Sequence, residues 1–192
     1  MPTKKIVINP FDPESFKSAS KEMENLQKKI DEGCETLVSL LAEIGMQDAQ
    51  VNFDKAIYAG DNPEVSVYTI ADKTPSGFIA TVRASGENVG FIEFGTGILQ
   101  PMPSPEAIED YETVIPAHGT YGKGKAMNPK GWAYYGGPGN APGTYEVKPG
   151  VSRTIGNPAN SCMHNAYLKV QEEIARCVKE AFKIWLIRNL NY

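Results

Sequence analysis

The chain has 192 residues, 41% of them hydrophobic, and its 19 basic and 23 acidic side chains leave a formal net charge of −4. That length suits a single domain over residues 1–192, with room for one long insertion. The charge balance argues against tight non-specific binding to nucleic acid, which needs a clustered positive surface. The sequence also lacks a signal-peptide pattern and a run of the ~20 apolar residues that span a bilayer, so we expect a soluble protein with no membrane partner.

A long first helix is predicted after Asp12, which can cap exposed amides ahead of Pro13 at the first helical position. Gly45 is predicted to end this helix in a left-handed conformation. Two apolar rows with seven-residue spacing run along it: Phe16, Met23, Ile30, Leu37 and Ile44, beside Ala19, Leu26 and Leu40. Such rows form one apolar face. We interpret the face as packing on the protein's own sheet; the alternative is a coiled-coil partner.

Short β-rich stretches with tight connections follow, and they favour an antiparallel meander, because parallel neighbours need long crossovers. The predicted strands are Lys55–Ala59, Glu64–Ala71, Phe78–Ala84 and the stretch Val89–Gly97. In the last of these, Phe91 and Glu93 would face one side of the sheet, and Ile92 and Phe94 the other. The long helix is expected to lie across this sheet.

A Pro-, Gly- and aromatic-rich stretch at about residues 98–150 is predicted to be a loop insertion. Loops of this length are usually functional, and their aromatic residues favour a binding surface. The alternative is an insertion that packs on its own domain. Candidate interface residues in it are Tyr111, Tyr121, Trp132, Tyr134, Tyr135 and Tyr145.

A second helix is predicted from Asn157 and Pro158 to about Asn189. Trp185 widens its apolar stripe near the end, so we expect this end to be buried on more than one side or to meet another subunit. The order of helix, strands, long loop and helix indicates an α+β fold, with an antiparallel sheet packed against an N-terminal and a C-terminal helix.

No cofactor or metal is expected. The segment Gly119–Ala126 approaches a phosphate-binding loop, but Ala126 lacks the hydroxyl that would hold magnesium. The two histidines, His118 and His164, have no metal-site spacing. The three widely spaced cysteines are predicted to be free thiols on helices, near core faces. They are Cys34, Cys162 and Cys177.

Glu93 is the most notable carboxylate, because an acid buried among aromatic side chains has a raised pKa unless it is paired. Arg83, on the preceding predicted strand, is a candidate partner. We favour a structural or interface salt bridge, with Phe94 and Trp185 as further interface candidates. The alternative from a different class is a small hydrolase that uses Glu93 and His118, although a second placed acid or an activated nucleophile is not evident.

With these elements in order, the chain resembles the gp10-like tail-completion proteins, the neck or head-tail joining family of long-tailed bacteriophages and prophages. The resemblance spans most of the chain. Its motifs are Gly90-Phe-Ile-Glu-Phe-Gly-Thr96, the Pro-rich stretch after it, His118-Gly-Thr-Tyr-Gly-Lys-Gly-Lys125 with Trp132 and Tyr134, and Gly156-Asn-Pro-Ala-Asn160 leading through Met163 into the last helix.

The resemblance implies a virion structural protein at the neck or tail end of a siphophage, assembled in the host cytoplasm and without a catalytic residue. It implies a ring, expected to be a hexamer, whose partners are the tail tube protein and the head-completion (stopper or adaptor) proteins. DNA would only pass through the lumen of this connector. A minor capsid or head-closure component is the alternative within the same biology.

Overall fold

The computed structural model describes residues 6, 8–60, 64–75, 77–86, 88–97 and 130–190. Two long helices and three small antiparallel sheets confirm the predicted α+β class. The elements, in chain order, are α1 (Pro13–Asp54), β1 (Ser66–Thr74), β2 (Gly77–Ser85), α2 (Val89–Phe94), β3 (Thr96–Gly97), β4 (Trp132–Tyr135), β5 (Tyr145–Lys148), β6 (Val151–Thr154), β7 (Gly156–Asn157) and α3 (Cys162–Leu190). The strands pair as a β1–β2 sheet, a β3–β7 sheet and a three-stranded sheet of order β4-β6-β5.

Helix α1 begins as predicted and ends later than predicted. The Asp12 side chain accepts the amide of Glu14 at 3.0 Å, which satisfies one of the exposed donors of the first turn. Gly45 does not end the helix, which continues to Asp54. The glycine is explained by close packing instead, because a Cβ at this position would lie 3.1 Å from the Cγ2 atom of Val170.

The chain divides into two compact units, and both long helices contribute to each of them. The first unit contains α1 up to Leu41, residues Ala71–Thr81 of the β1–β2 hairpin, and α3 from Glu173 onward. In it, Trp185 covers Gly33, with its Cδ1 atom 3.2 Å from where a Cβ would lie. The second unit contains the described residues of Ala42–Ile70 and Val82–Glu172.

The core of the second unit joins distant parts of the chain. Phe53 of α1, Ile92 of α2 and Cys162 at the start of α3 are buried together. Each large apolar side chain buried in this way contributes about 1.5–3 kcal/mol. Partly buried apolar side chains surround the cluster: Ala56, Tyr58, Val65, Val67, Ala84, Val89 and Met163. The core therefore fixes the two long helices and α2 around one point.

The prediction of a strand at Val89–Phe94 was wrong, because this stretch is the short helix α2. Asn88 adopts a left-handed conformation with φ of 62°, and its carbonyl oxygen accepts the amides of Phe91 and Ile92 at 2.8 and 3.0 Å. Only Thr96 and Gly97 of the predicted stretch form a strand. The helical turn buries the neighbours Ile92 and Glu93 together, whereas a strand would have pointed them to opposite faces.

Two further boundaries differ from prediction. The last helix begins at Cys162 instead of Asn157, because Asn157 is taken up by β7, where it pairs with Thr96. Residues 132–154, expected within an unstructured loop, contain the three short strands β4, β5 and β6. The remainder of the predicted insertion, 98–129, lies outside the described residues.

Candidate functional site: the Glu93 junction and two exposed surfaces

The carboxylate of Glu93 caps the first turn of α3. Its Oε2 atom accepts the amide of Met163 at 2.9 Å, and its Oε1 atom accepts the amide of His164 at 3.1 Å. The first amides of a helix have no partner within the helix and carry partial positive charge, so a carboxylate is well suited to them. Glu93 is only 7% exposed, and these contacts tie α2 to α3.

Burial raises the pKa of Glu93 above its ordinary value, against the lowering effect of the amides of Met163, His164 and Cys162. The neighbouring Cys162 is fully buried. Burial, with the nearby charge of Glu93, raises the pKa of the Cys162 thiol to about 12. A thiol that stays protonated at neutral pH is a poor nucleophile, so Cys162 acts as a packing residue.

Three asparagine side chains hold the segment Ala56–Ala59, for which a strand was predicted. Asn160 accepts the amide of Ile57 at 2.8 Å and donates to its carbonyl oxygen at 2.9 Å. Asn140 accepts the amide of Tyr58 at 2.6 Å, and Asn157 accepts that of Ala59 at 2.7 Å. The prediction of a strand here was therefore wrong, because side-chain amides from distant parts of the chain take the place of a partner strand.

The β3–β7 sheet closes the base of the predicted insertion. Thr96 pairs with Asn157, and Gly97 with Gly156. Gly156 has φ of 133°, and a Cβ on it would lie 2.0 Å from the Thr96 carbonyl oxygen. No side chain fits there. We call this sheet, the Glu93 cap and the three asparagines together the Glu93 junction.

The sequence identified Glu93 as a notable carboxylate but not the groups that it contacts. Both oxygens of Glu93 accept amides of α3, and no ion pair joins Glu93 to Arg83 among the described residues. The predicted structural salt bridge between Glu93 and Arg83 within the chain was therefore wrong, and the alternative of an interface salt bridge stays a prediction. Arg83 lies exposed on β2, and Phe94 is half-buried at the end of α2. The sequence does not identify the three asparagines as a set, since it predicts Asn157 as the start of a helix and nothing in it links Asn157 to Asn140.

The remaining predicted interface residues lie in different places. Trp185 is half-buried in the first unit, where its Nε1 atom donates to the Lys29 carbonyl oxygen at 2.6 Å. Trp132 and Tyr134 are half-buried on β4, and the Tyr134 hydroxyl donates to the Gly137 carbonyl oxygen at 2.8 Å. Tyr111, Tyr121 and His118 lie outside the described residues, and so does Gly119–Ala126.

Two exposed apolar rows run along the long helices of the first unit. The α1 row consists of Phe16, Met23, Leu26 and Ile30, and the α3 row of Ile174, Val178 and Phe182. Met23 is 63% exposed and Phe182 58%. The interpretation that the α1 face packs on the protein's own sheet was therefore wrong for these members of the rows, although Ala19 of the second row is buried.

A second exposed surface lies on one face of the three-stranded sheet. Because directly paired residues share a face, the strand register identifies its members. Tyr135 pairs with Val151, Ala133 and Tyr145 pair with Arg153 from either side, and Lys148 pairs with Val151 across a bulge. Tyr135 is 92% exposed and Tyr145 53%. We call these six residues the tyrosine face.

Three further properties of the described part of the chain concern metal sites, membrane helices and cysteines. It contains no group of three or more His, Cys, Asp or Glu side chains that could hold a metal ion. None of its helices is long and apolar enough to cross a membrane. All three cysteines are free, as predicted, although Cys34 is exposed instead of lying near the core.

Comparisons with known proteins give no further guide. No protein-family model, curated protein or solved structure matches this chain.

Proposed function

We propose that this chain is a virion structural protein that completes a bacteriophage tail and joins it to the head, as one subunit of a neck ring that acts by binding without catalysis. The resemblance of its sequence motifs to tail-completion proteins supplies the biological setting. The observation that carries the proposal is the pair of exposed apolar rows on α1 and α3. Contiguous exposed apolar surface on a protein of this size is typical of interaction sites.

The two rows suit contact between neighbouring copies, because they lie on different helices and share no residue. A closed ring requires different surfaces on the two sides of each subunit. Contact between the α1 row of one copy and the α3 row of the next would meet that requirement.

Deletion of the gene from its phage tests the biological role. We expect the deletion strain to accumulate filled heads and free tails that remain separate, and electron microscopy of the lysate measures this. Normal virions in the lysate would overturn the proposal.

Complementation of the deletion strain with plasmid-borne variants tests the apolar row. Met23→Gln with Ile30→Gln should lower the yield of infectious particles about tenfold or more, because both changes place polar groups in the exposed apolar row. Lys21→Gln with Lys28→Gln is the matched control, since it has the same spacing on the same helix. Equal yields from the two double variants would show that the row makes no functional contact.

A further inference from the structure

The tyrosine face combines aromatic and basic side chains and has no acidic member. Of its six residues, two are tyrosines, Tyr135 and Tyr145, and two are basic, Lys148 and Arg153. The other two, Ala133 and Val151, are small or apolar. This composition contrasts with the net charge of −4 for the chain. The face is thus a local positive surface on a mildly acidic protein.

One basic side chain of this face, Arg153, is held in place by a hydrogen bond. The Arg153 Nε atom donates to the Lys130 carbonyl oxygen at 2.8 Å, which restricts the guanidinium group. On the opposite face of β6, Ser152 and Thr154 are buried, and the Ser152 hydroxyl donates to the Gly136 carbonyl oxygen at 2.7 Å. A guanidinium group restricted in this way loses less conformational entropy when it binds.

The arrangement of the tyrosines favours a protein ligand over a nucleic acid. Tyr135 and Tyr145 lie on the two outer strands, offset by two residues along β6, so their Cα atoms are roughly 12 Å apart at normal sheet spacings. Single-stranded nucleic acids bind grooves in which successive bases stack and many phosphates are neutralised. Two basic residues neutralise few phosphates, whereas exposed tyrosine and arginine are the residues that dominate protein interfaces.

We propose that the tyrosine face is the docking site for an acidic surface of a different virion protein, with Tyr135 and Tyr145 as anchors and Arg153 and Lys148 as partners for its carboxylates. The two basic side chains of the face would attract an acidic surface, and the face has no acidic side chain that would repel it. This inference rests on the proposed neck function for the setting of the partner. The partner would bind the tyrosine face, which is separate from the apolar rows on α1 and α3.

Photo-crosslinking in phage-infected cells tests the inference. The probe is p-benzoyl-phenylalanine introduced at Tyr135, with the same probe at Tyr68, another exposed tyrosine of the second unit, as the control. Mass spectrometry should identify a crosslink from position 135 to an Asp- and Glu-rich segment of another protein. A crosslink to DNA, a crosslink only to another copy of this chain, or a yield no higher than at position 68 would overturn the inference.

Charge reversal provides the second readout. Arg153→Glu with Lys148→Glu should lower the yield of infectious particles, and changing the crosslinked acidic residues of the partner to lysine should restore it. Lys55→Glu with Lys73→Glu is the matched control on exposed lysines elsewhere. Because Arg153→Glu removes a hydrogen bond, Tyr135→Ser is tested in parallel. Because the Tyr135 ring is 92% exposed, we expect its removal to leave folding unchanged.

The two proposals fail in different ways. Separate heads and tails in the deletion strain, together with full complementation by both tyrosine-face variants, would remove the docking site and leave the neck function standing. Normal virions in the deletion strain, together with a crosslink from position 135 to an acidic protein segment, would remove the neck function and retain the docking site.

Discussion

The Glu93 carboxylate accepts the amide of Met163 at 2.9 Å, from a residue 70 positions further along the chain. This contact joins α2 to the start of α3 next to the buried Ile92 and Cys162. The glutamate of the Phe-Ile-Glu-Phe motif therefore has a structural role within one chain.

Replacement of this carboxylate should destabilise the fold. Glu93→Gln leaves one acceptor oxygen for two amides and turns an NH₂ group toward the other, so we expect the free energy of unfolding to fall by about 1–3 kcal/mol. Urea unfolding followed by circular dichroism measures the change. Glu172→Gln is the matched control, because it changes an exposed carboxylate on α3. A loss no greater than that of the control would contradict the capping role.

The stability contribution of Glu93 should depend on pH with a defined sign. Its pKa in the folded protein is raised above the ordinary value of 4.5, so the folded state binds more protons than the unfolded state in the window just above that value. The free energy of unfolding of the wild type, relative to Glu93→Gln, should therefore rise as the pH falls from 7 through this window. Urea titrations of both proteins between pH 5 and 8 test this, and a difference that falls on acidification would have the wrong sign.

Loss of the Asn160 amide should also destabilise the second unit. Its Nδ2 atom donates to the carbonyl oxygens of Ile57, Ile92 and Pro158 at 2.9–3.2 Å. Asn160→Asp would direct a carboxylate oxygen at these acceptors, and we expect a loss of about 1–3 kcal/mol in urea unfolding. Asn25→Asp on the exposed surface of α1 makes the same chemical change without those contacts. Equal stability of the two variants would show that the hydrogen bonds of the Asn160 amide do not stabilise the fold.

The three thiols should differ in reactivity. Cys34 is exposed, whereas Cys162 and Cys177 are fully buried. A chromogenic disulfide reagent at neutral pH should therefore modify one thiol per folded chain and all three in denaturant. Cys34→Ser should abolish the fast reaction. Rapid modification of all three thiols in the native protein would contradict the packing of α3.

The sequence predicted the presence of both long helices and the start of α1, because the seven-residue apolar rows and the Asp12 cap are local signals, but it misplaced the end of α1 and the start of α3. It failed at α2, since four residues such as Phe91–Phe94 satisfy both a strand and a single helical turn. It also assigned Glu93 to Arg83, because a neighbouring strand was the nearest visible partner, whereas the actual donors are backbone amides that no sequence pattern marks. The short strands β4 to β6 were hidden by the glycines between them. The sequence also could not show that the α1 row is exposed, since a buried and an exposed apolar stripe have the same pattern of residues.

The pairing of Gly97 with Gly156 gives this fold a natural cassette position. Trp132 pairs with Thr154, two residues before Gly156, so both ends of the stretch 98–131 lie beside the segment formed by β6 and β7. Lengthening this stretch costs only about 0.6 kcal/mol of closure entropy for each doubling. We therefore expect residues added within 98–131 to leave the packing of α1 and α3 unchanged, so that a reporter domain can be inserted in this stretch.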